Sequence, residues 1–373
     1  MEIETQFKSM KRKADAIPVA TKRNLVAVHS HIYEIPTGYH EVVPELFKEI
    51  NTLQDLISIG KAFIQLIKIC ETLPMIQLWT ELTWTQISIF VRIARVTAEI
   101  ALLDQMVGLT DLKEHFLRQM MYLLSNIDVN HPYLHTLILG PPGHGKTEVA
   151  RLIGKIYAKS GILSSNKFVS VNRADLVGMY CGHTAPKTTA VYESAKGGVL
   201  YIDEIYSLGN PEQRDTFTRE CIDTLTHLMD TDRTTMVIGS GYEKETHERF
   251  LAYNPGLTRR IPWIFVIQPY DGDDLLQIFM KLLHEDQWSL DSSDVIDADL
   301  FTKNREIFTN AGGDVLNFIN CCKIAHYSRT FRQLPSRSLN HTDIEVALIT
   351  FQTHRTKSSN IRPVTPPPAG MYT

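Results

Sequence analysis

The chain has 373 residues, of which 43% are hydrophobic and 21% charged. This balance excludes a disordered or low-complexity chain, and the net charge of -4 argues against nucleic-acid binding through a global positive field. Five scattered cysteines without a CxxC pair predict neither a disulfide framework nor a zinc site, which favours a reducing compartment. The charged N-terminal residues do not fit a signal peptide, and no stretch is apolar enough for a membrane span.

In chain order, residues 1–30 are polar and basic, and we interpret them as a flexible arm. Their two basic clusters could alternatively form a nuclear address. Residues 31–101 carry apolar side chains at three- and four-residue spacing, which predicts an N-terminal helical module.

From residue 102 to 270, short β-rich runs alternate with helical patterns, which is typical of a parallel sheet flanked by helices. The predicted strands are 134–139, 167–171, 198–202, 234–239 and 263–267. Residues 271–353 predict an all-helical domain with helices at 273–284, 298–309, 314–331 and 341–353. Residues 354–373 are polar and Pro-rich, so we expect a disordered tail.

The first predicted strand leads directly into Gly140-Pro-Pro-Gly-His-Gly-Lys-Thr147 and then into a helical pattern. This is the GxxxxGK[ST] pattern in its strand, loop and helix context. Its glycines allow backbone N–H groups to surround phosphates at a helix N-terminus. We expect Lys146 to contact the β- and γ-phosphates of ATP and Thr147 to bind Mg²⁺.

A second motif ends the predicted strand 198–202 in two adjacent carboxylates, Asp203 and Glu204. The carboxyl end of a parallel strand would place Asp203 beside the phosphate loop, where it can hold Mg²⁺ through water. Glu204 can polarise a water in line with the γ-phosphate.

These motifs, their order and the trailing helical domain resemble AAA+ ATPases over roughly residues 102–353. The strings VNRADLVGMYCGHTAPKT, GGVLYIDEIYSL and YNPGLTRRI resemble the branch of red-type Rubisco activase and sporulation stage V protein K. Together with LGNPEQRDTFTRECIDTL and GGDVLNFINCCKIAHYSR, the N-terminal module is most similar to AAA+ proteins of large DNA viruses. The resemblance implies an α/β fold with an open five-stranded parallel sheet and a C-terminal helical lid.

The resemblance also implies further site residues. Val107 and Gly108 match the segment that flanks adenine, although Gly108 could equally be a helix cap. Arg260 stands at the position of the arginine finger that a neighbouring subunit offers to the γ-phosphate, with Arg259 as the alternate. A finger that acts in trans implies a homo-oligomeric ring, usually of six subunits. The nucleotide contacts expected from the loop are Pro141, Pro142, Gly143, His144, Gly145, Lys146, Thr147 and Glu148.

Tyr180-Cys181-Gly182 resembles the aromatic-x-Gly pore loop that grips a polypeptide, so Tyr180 and Gly182 are pore-loop candidates. A buried tyrosine before a turn is the alternative. Either Ser240 or Tyr242 could replace the usual γ-phosphate sensor after strand 234–239, and the two remain open. The lid helix that begins near Gly312 lacks the arginine that commonly contacts phosphate.

The leading hypothesis is an ATP-driven ring that remodels or threads a protein substrate. A nucleic-acid or replication-associated factor is the alternative, supported by Lys187 and His183 near the pore tyrosine. A P-loop kinase fits the Asp203–Glu204 pair and distal Arg260 less well, and a non-catalytic nucleotide-gated scaffold is a third option. We expect a cytoplasmic location, which is the host cytoplasm if the protein is viral, with the nucleus as the alternative.

Overall fold

The computed structural model describes residues 39–70, 84–125, 133–209, 215–292, 294–331 and 336–359. The chain divides into two units. The first contains the residues up to Gly140 together with Lys146–Ile267, and the second contains Pro141–Gly145 together with the residues from Gln268 onward. The predicted arm at 1–30 and the tail beyond Ser359 lie outside the described residues.

Five parallel strands form the sheet of the first unit, in the spatial order β2-β3-β4-β1-β5. The strands are β1 Thr136–Leu139, β2 Phe168–Val171, β3 Val199–Ile202, β4 Met236–Gly241 and β5 Trp263–Val266. Every residue of β1, β3 and β4 is buried, as expected for a parallel sheet covered on both faces. The predicted open five-stranded parallel sheet is confirmed.

The helices of the first unit occupy the connections between the strands and the segment before β1. They are α1 Tyr39–Leu46, α2 Leu53–Cys70, α3 Trp84–Asp104, α4 Thr110–Ser125, α5 Lys146–Lys159, α6 Arg173–Leu176, α7 Thr184–Ser194, α8 Thr216–Thr231, α9 Glu243–Glu245 and α10 Pro255–Arg260. Shorter turns of other helix types follow β3 at Ile205–Leu208 and follow α9 at Thr246–Phe250 and Leu251–Tyr253.

The two faces of the sheet belong to different hydrophobic clusters. Ile138 of β1 lies in a cluster with Val96 of α3 and Ile153 of α5, so the helices before β1 share a core with the sheet. Leu137 and Leu139, which alternate with Ile138 along β1, lie in the opposite cluster. An ion pair between Glu99 of α3 and Lys159 of α5 joins the same helices.

The second unit is largely helical. Its elements are α11 Gly272–Glu285, β6 Ser289–Leu290, α12 Ala298–Lys303, a 3₁₀ turn at Arg305–Ile307, α13 Gly312–Thr330, β7 Ser338–Leu339 and α14 His341–Ser359. The prediction of an entirely helical domain missed the parallel pair β6–β7. Strands of two residues are too short to leave a periodic signal.

Two helix boundaries in the second unit also differ from prediction. The helix predicted at 298–309 ends at Lys303, where both the backbone N–H and the side-chain amide of Asn304 donate to Leu300 O and a 3₁₀ turn follows at Arg305–Ile307. The last helix continues past the predicted boundary at residue 353, since FQTHRTKSS contains neither proline nor glycine to end it.

An ion-pair and hydrogen-bond cluster connects the last two helices of this unit. Arg329 of α13 donates through Nε to Asp343 Oδ1 at 2.8 Å, and His326 Nδ1 lies 3.2 Å from Asp343 Oδ2. Arg355 of α14 forms an ion pair with buried Asp314 at the start of α13.

Among the helices that the structure describes, none is long and apolar enough to cross a membrane.

Candidate active site

The loop after β1 adopts backbone conformations that favour glycine. Gly140, Gly143 and Gly145 have φ angles of +157°, +73° and +72°. A Cβ atom on Gly140 would lie 2.8 Å from Ile267 O, and one on Gly143 would lie 1.9 Å from Asn310 O. The loop therefore depends on glycine for both its backbone angles and its close contacts.

Lys146 is the first residue of α5, where the loop ends. Its Nζ donates to Gly140 O at 2.9 Å and lies 5.4 Å from the centre of the Tyr242 ring. Burial lowers the pKa of Lys146, and the charges of Asp203 and Glu204 oppose that effect. The ammonium group thus lies in the field of both carboxylates.

Four side chains form a connected network around the end of β3. Tyr201 OH lies 2.9 Å from Thr147 Oγ1, 2.8 Å from Ser240 Oγ and 3.2 Å from Asp203 Oδ1. Ser240 donates to Asp203 Oδ1 at 2.6 Å. Burial raises the pKa of Tyr201, so its hydroxyl keeps its proton at neutral pH. Thr147 and Asp203, the two predicted Mg²⁺ ligands, are thereby joined through a single tyrosine.

A hydroxyl and a carboxylate are the oxygen ligands that Mg²⁺ prefers, so Thr147 and Asp203 fit the ion chemically. Among the residues described, no group of three or more His, Cys, Asp or Glu side chains clusters as a separate metal site.

Glu204 has a left-handed backbone with φ of +49°, which is uncommon for a residue other than glycine. Its N–H donates to Asp203 Oδ1 at 3.1 Å. Burial raises the pKa of Tyr206 to about 12, and the Glu204 charge and a hydrogen bond to it act in the same direction. The Tyr206 ring stacks on Tyr242 at 5.3 Å between centroids, so an aromatic pair lies beside the second carboxylate.

The two sensor candidates occupy different places. Ser240 is fully buried and donates to Asp203. Tyr242 is partly exposed, and its ring faces Lys146.

Other loop residues predicted to contact nucleotide have local partners. His144 stacks on Tyr270 at 4.5 Å between ring centroids, and its Nε2 accepts the Tyr270 N–H at 3.3 Å. Nδ1 is therefore the protonated nitrogen, and it donates to Pro142 O at 2.8 Å. The remaining predicted contacts are Pro141, which is partly exposed, and Glu148, which is exposed.

Val107 and Gly108, the predicted adenine-flanking residues, lie in the turn between α3 and α4. Gly108 has a φ of +63°. Lys113 donates to Asp104 O at 2.8 Å and to Met106 O at 2.7 Å, which satisfies carbonyls at the end of α3. The carbonyls at the end of α3 are thus bonded by a lysine side chain, and the choice between an adenine-flanking role and a cap for Gly108 stays a prediction.

Arg260 lies at the end of α10 and is held within its own chain. Its Nη2 donates to Asp230 Oδ2 at 2.8 Å and its Nη1 donates to Gly256 O at 3.0 Å. Hydrogen bonds from Arg260 and Tyr133 lower the pKa of Asp230 to about 2, so this carboxylate is ionised at neutral pH. Arg259, the alternate, is exposed.

The loop between α6 and α7 presents apolar side chains to solvent. Met179 is 87% exposed and Tyr180 69% exposed, so the alternative of a buried tyrosine at position 180 is wrong. The Tyr180 ring packs edge-on against His183, and Gly182 has a φ of +78° with open space around its Cα. An open pocket of 390 Å³ in this loop is lined by Gly178, Met179, Tyr180, His183, Pro186 and Lys187.

Lys187, which supported a nucleic-acid alternative, is directed toward the backbone. Its Nζ donates to Ala174 O at 2.6 Å and to Val177 O at 3.0 Å, so it satisfies carbonyls at the end of α6. The Lys187 amine would have to break these two hydrogen bonds before it could bind a phosphate.

Sequence reasoning missed Tyr201 and Asp230. The sequence gives one indication of Tyr201, because its hydroxyl is the single polar side-chain group in the strand Val199–Ile202. The sequence gives no indication of Asp230, because its partners Tyr133 and Arg260 are 97 and 30 positions away and only the fold brings them together.

The chain is similar in sequence to a known family of ATPases. Residues 136–258 match the model of the ATPase family associated with various cellular activities (AAA). A cfxQ-like protein from Acanthamoeba polyphaga mimivirus is 30% identical over 328 residues, covering 86% of this chain and 77% of that protein.

Two further relatives match shorter regions. Stage V sporulation protein K of Bacillus subtilis is 36% identical over 196 residues, covering 50% of this chain and 60% of that protein. The chloroplastic ribulose bisphosphate carboxylase/oxygenase activase of Cyanidioschyzon merolae is 38% identical over 174 residues, with coverage of 47% and 58%. The chain thus spans less than two thirds of either protein.

A solved RuvB mutant from Thermotoga maritima aligns with a TM-score of 0.47 at 17% identity, over 67% of this chain and 72% of that chain.

The chain belongs to the AAA+ ATPases. It falls in the branch that contains the cfxQ-like proteins, stage V sporulation protein K and Rubisco activase, and its enzymatic class is ATP hydrolase.

Proposed function

We propose that this protein forms an ATP-driven ring, usually of six subunits, that remodels or threads a protein substrate through a central pore. The observation that carries the proposal is the exposed apolar loop at Met179 and Tyr180, which lies in the same unit as the phosphate-binding lysine. An exposed aromatic side chain offers sequence-tolerant contact to a polypeptide.

For the chemical step, we assign phosphate binding to Lys146 and polarisation of the attacking water to Glu204. Mg²⁺ held by Thr147 and, through water, by Asp203 would supply charge neutralisation at the phosphates. The field of the two carboxylates at Lys146 supports this arrangement, because an ion and a nucleotide would enter a site with both signs of charge.

For the ring, we assign Arg260 as the residue offered to the γ-phosphate of a neighbouring subunit, with Arg259 as the alternate. Its position at the end of α10, outside the phosphate loop, supports a role across a subunit interface. The length of the match to the mimivirus protein supports a viral source.

A protein substrate is favoured over nucleic acid by the side chains of the loop. Met179 and Tyr180 present apolar area, whereas the amine of Lys187 is bonded to two backbone carbonyls. Single-stranded nucleic acid would also stack on a tyrosine, but it would require cations along its backbone.

The test compares Tyr180→Ala with Tyr180→Phe in ATPase assays containing a permanently unfolded, labelled polypeptide or single-stranded DNA. The polypeptide should stimulate the parent and the Phe variant, and it should not stimulate the Ala variant. The melting temperature should not change, since an exposed ring escapes the roughly 3 to 5 kcal/mol cost of truncating a buried one. Stimulation by DNA alone, or full polypeptide stimulation of Tyr180→Ala, would refute the proposal.

A further inference from the structure

The hydroxyl network at the end of β3 has a defined direction of proton donation. Asp203 is a carboxylate that only accepts, so Ser240 donates its hydroxyl proton to Asp203 Oδ1 at 2.6 Å. Tyr201 OH has two acceptors within reach, Ser240 Oγ at 2.8 Å and Asp203 Oδ1 at 3.2 Å. Whichever it uses, the single Tyr201 proton is committed to one of them.

The pairing of Thr147 with Tyr201 follows from this commitment. Their oxygens lie 2.9 Å apart, and one of the two must donate. Because the Tyr201 proton is already used, Thr147 is the donor and Tyr201 the acceptor. The Thr147 proton is therefore directed to Tyr201, which leaves the lone pairs of Thr147 Oγ1 for a cation.

The tyrosine ring that holds this oxygen has little freedom. Tyr201 is fully buried, and its ring stacks on Phe168 at 5.5 Å between centroids. Arg151 in turn places its guanidinium 4.6 Å from the centre of the Phe168 ring. A phenylalanine at position 201 would keep this packing and remove only the hydroxyl.

We infer that Tyr201 is a positioning residue for Mg²⁺: it takes the Thr147 proton, and it anchors Ser240 against Oδ1 of Asp203. Two hydrogen bonds converge on Asp203 Oδ1, from Ser240 and from the Glu204 N–H, and Tyr201 OH lies 3.2 Å from the same oxygen. We assign Oδ2 to the water shell of the cation. This inference rests on the Mg²⁺–ATP site of the proposed function.

The experiment measures the dissociation constant of a fluorescent ATP analogue in excess Mg²⁺ and in EDTA, without any turnover. The parent should bind more tightly with Mg²⁺. Tyr201→Phe should lose about tenfold of that gain, as removal of a group that orients a metal ligand typically does, and it should match the parent in EDTA. Mn²⁺ in place of Mg²⁺ should show the same loss.

Tyr157→Phe is the matched control. Tyr157 is also fully buried in the first unit, and its hydroxyl has no hydrogen-bond partner within the described part of the chain, so this change should leave both dissociation constants unaltered. Ser240→Ala should lie between the parent and Tyr201→Phe, because Tyr201 keeps Asp203 Oδ1 as an acceptor and Thr147 remains the donor.

The outcomes distinguish failure of the proposed Mg²⁺ site from failure of the role assigned to Tyr201. A parent without any Mg²⁺-dependent gain would overturn the proposed Mg²⁺ site itself. A parent with the gain and a Tyr201→Phe variant that retains it in full would overturn only the role of Tyr201. Equal weakening in EDTA and in Mg²⁺ would also overturn that role, since it would indicate a general packing effect. If Tyr201→Phe does not fold, a Ser240→Ala variant that loses the whole gain would likewise contradict the inference.

Discussion

Arg260 is bound to Asp230 of its own chain, with Nη2 2.8 Å from Oδ2. Tyr133 donates to the other oxygen of Asp230 at 2.5 Å, and Arg233 donates to the Tyr133 hydroxyl at 2.8 Å. Two guanidinium nitrogens of Arg260 are thus bonded within one subunit, Nη2 to an ionised carboxylate and Nη1 to Gly256 O, while the buried Nε has no hydrogen-bond partner among the described residues. If Arg260 serves a neighbouring active site, assembly has to break this ion pair first.

We predict that Asp230→Asn increases ATP turnover about two- to fivefold at chain concentrations where rings are only partly formed. The amide keeps a hydrogen-bond acceptor for Tyr133 but loses the charge that retains Arg260, and exposed ion pairs have a modest effect of this size. Steady-state ATPase assays across a concentration series provide the measurement. Asp232→Asn is the control, because that carboxylate binds Thr234 and Thr235 instead of an arginine. Decreased turnover in Asp230→Asn would show that Asp230 positions Arg260 for catalysis.

Lys146→Ala should weaken ATP binding about a hundredfold or more, because a charged hydrogen-bond donor to the phosphates is removed. Glu204→Gln should bind ATP like the parent and hydrolyse it about a hundred to ten thousand times more slowly, since only the activation of water is lost. Nucleotide titration and phosphate release measure the two effects separately. Lys155→Ala, an exposed change on the same helix, should alter neither. Hydrolysis at the parent rate by Glu204→Gln would remove that residue from the catalytic role.

Arg260→Ala should bind ATP nearly normally and lose turnover by a factor on the order of a thousand, as arginine fingers contribute. Mixing it with Glu204→Gln should restore part of the activity, because some interfaces would then combine both intact residues. Arg259→Ala, assayed in parallel, should have a small effect. Loss of turnover in Arg259→Ala alone would transfer the role to Arg259. Activity that persists in a proven monomer would contradict action in trans.

His135 predicts a pH dependence of folding. Burial lowers the pKa of His135 to about 4, and the Val237 N–H donates to its Nδ1 at 3.0 Å, so the folded chain holds it neutral. The unfolded chain binds a proton near the ordinary pKa of about 6.5, so stability falls as the pH drops from 6.5 toward 4. The full contribution is about 3 kcal/mol.

His135→Asn should flatten this part of the curve, because an amide oxygen can accept the Val237 N–H without titrating. Denaturant unfolding at pH 7, 6 and 5 gives the slopes. The control is His341→Asn, whose histidine side chain is 68% exposed. Equal slopes in the parent and His135→Asn would show that His135 does not titrate in this way.

The features that could be predicted from the sequence are those formed by residues that are neighbours in the chain. The loop from Gly140 to Thr147 and the Asp203–Glu204 pair are short strings, and the apolar runs of the strands are equally local. The Thr147–Tyr201–Ser240 connection could not be predicted in this way, because it forms only when β3 and β4 pair in register beside the loop. The early end of α12 falls at Asn304, which bonds Leu300 O through its backbone and its side chain, and a periodic pattern does not resolve such a cap.

The shared core of α3, α5 and β1 limits how this ATPase can be cut and recombined. Val96, Ile100 and Leu103 are fully buried in the cluster that covers one face of the sheet. A chimera joined at residue 102 would replace Val96 and Ile100 in that cluster and separate Lys159 from Glu99, so we expect it to expose apolar surface and to aggregate. Exchange of N-terminal segments with relatives therefore requires a junction upstream of α1, because Val42 and Leu46 of α1 lie in the same cluster as the later helices.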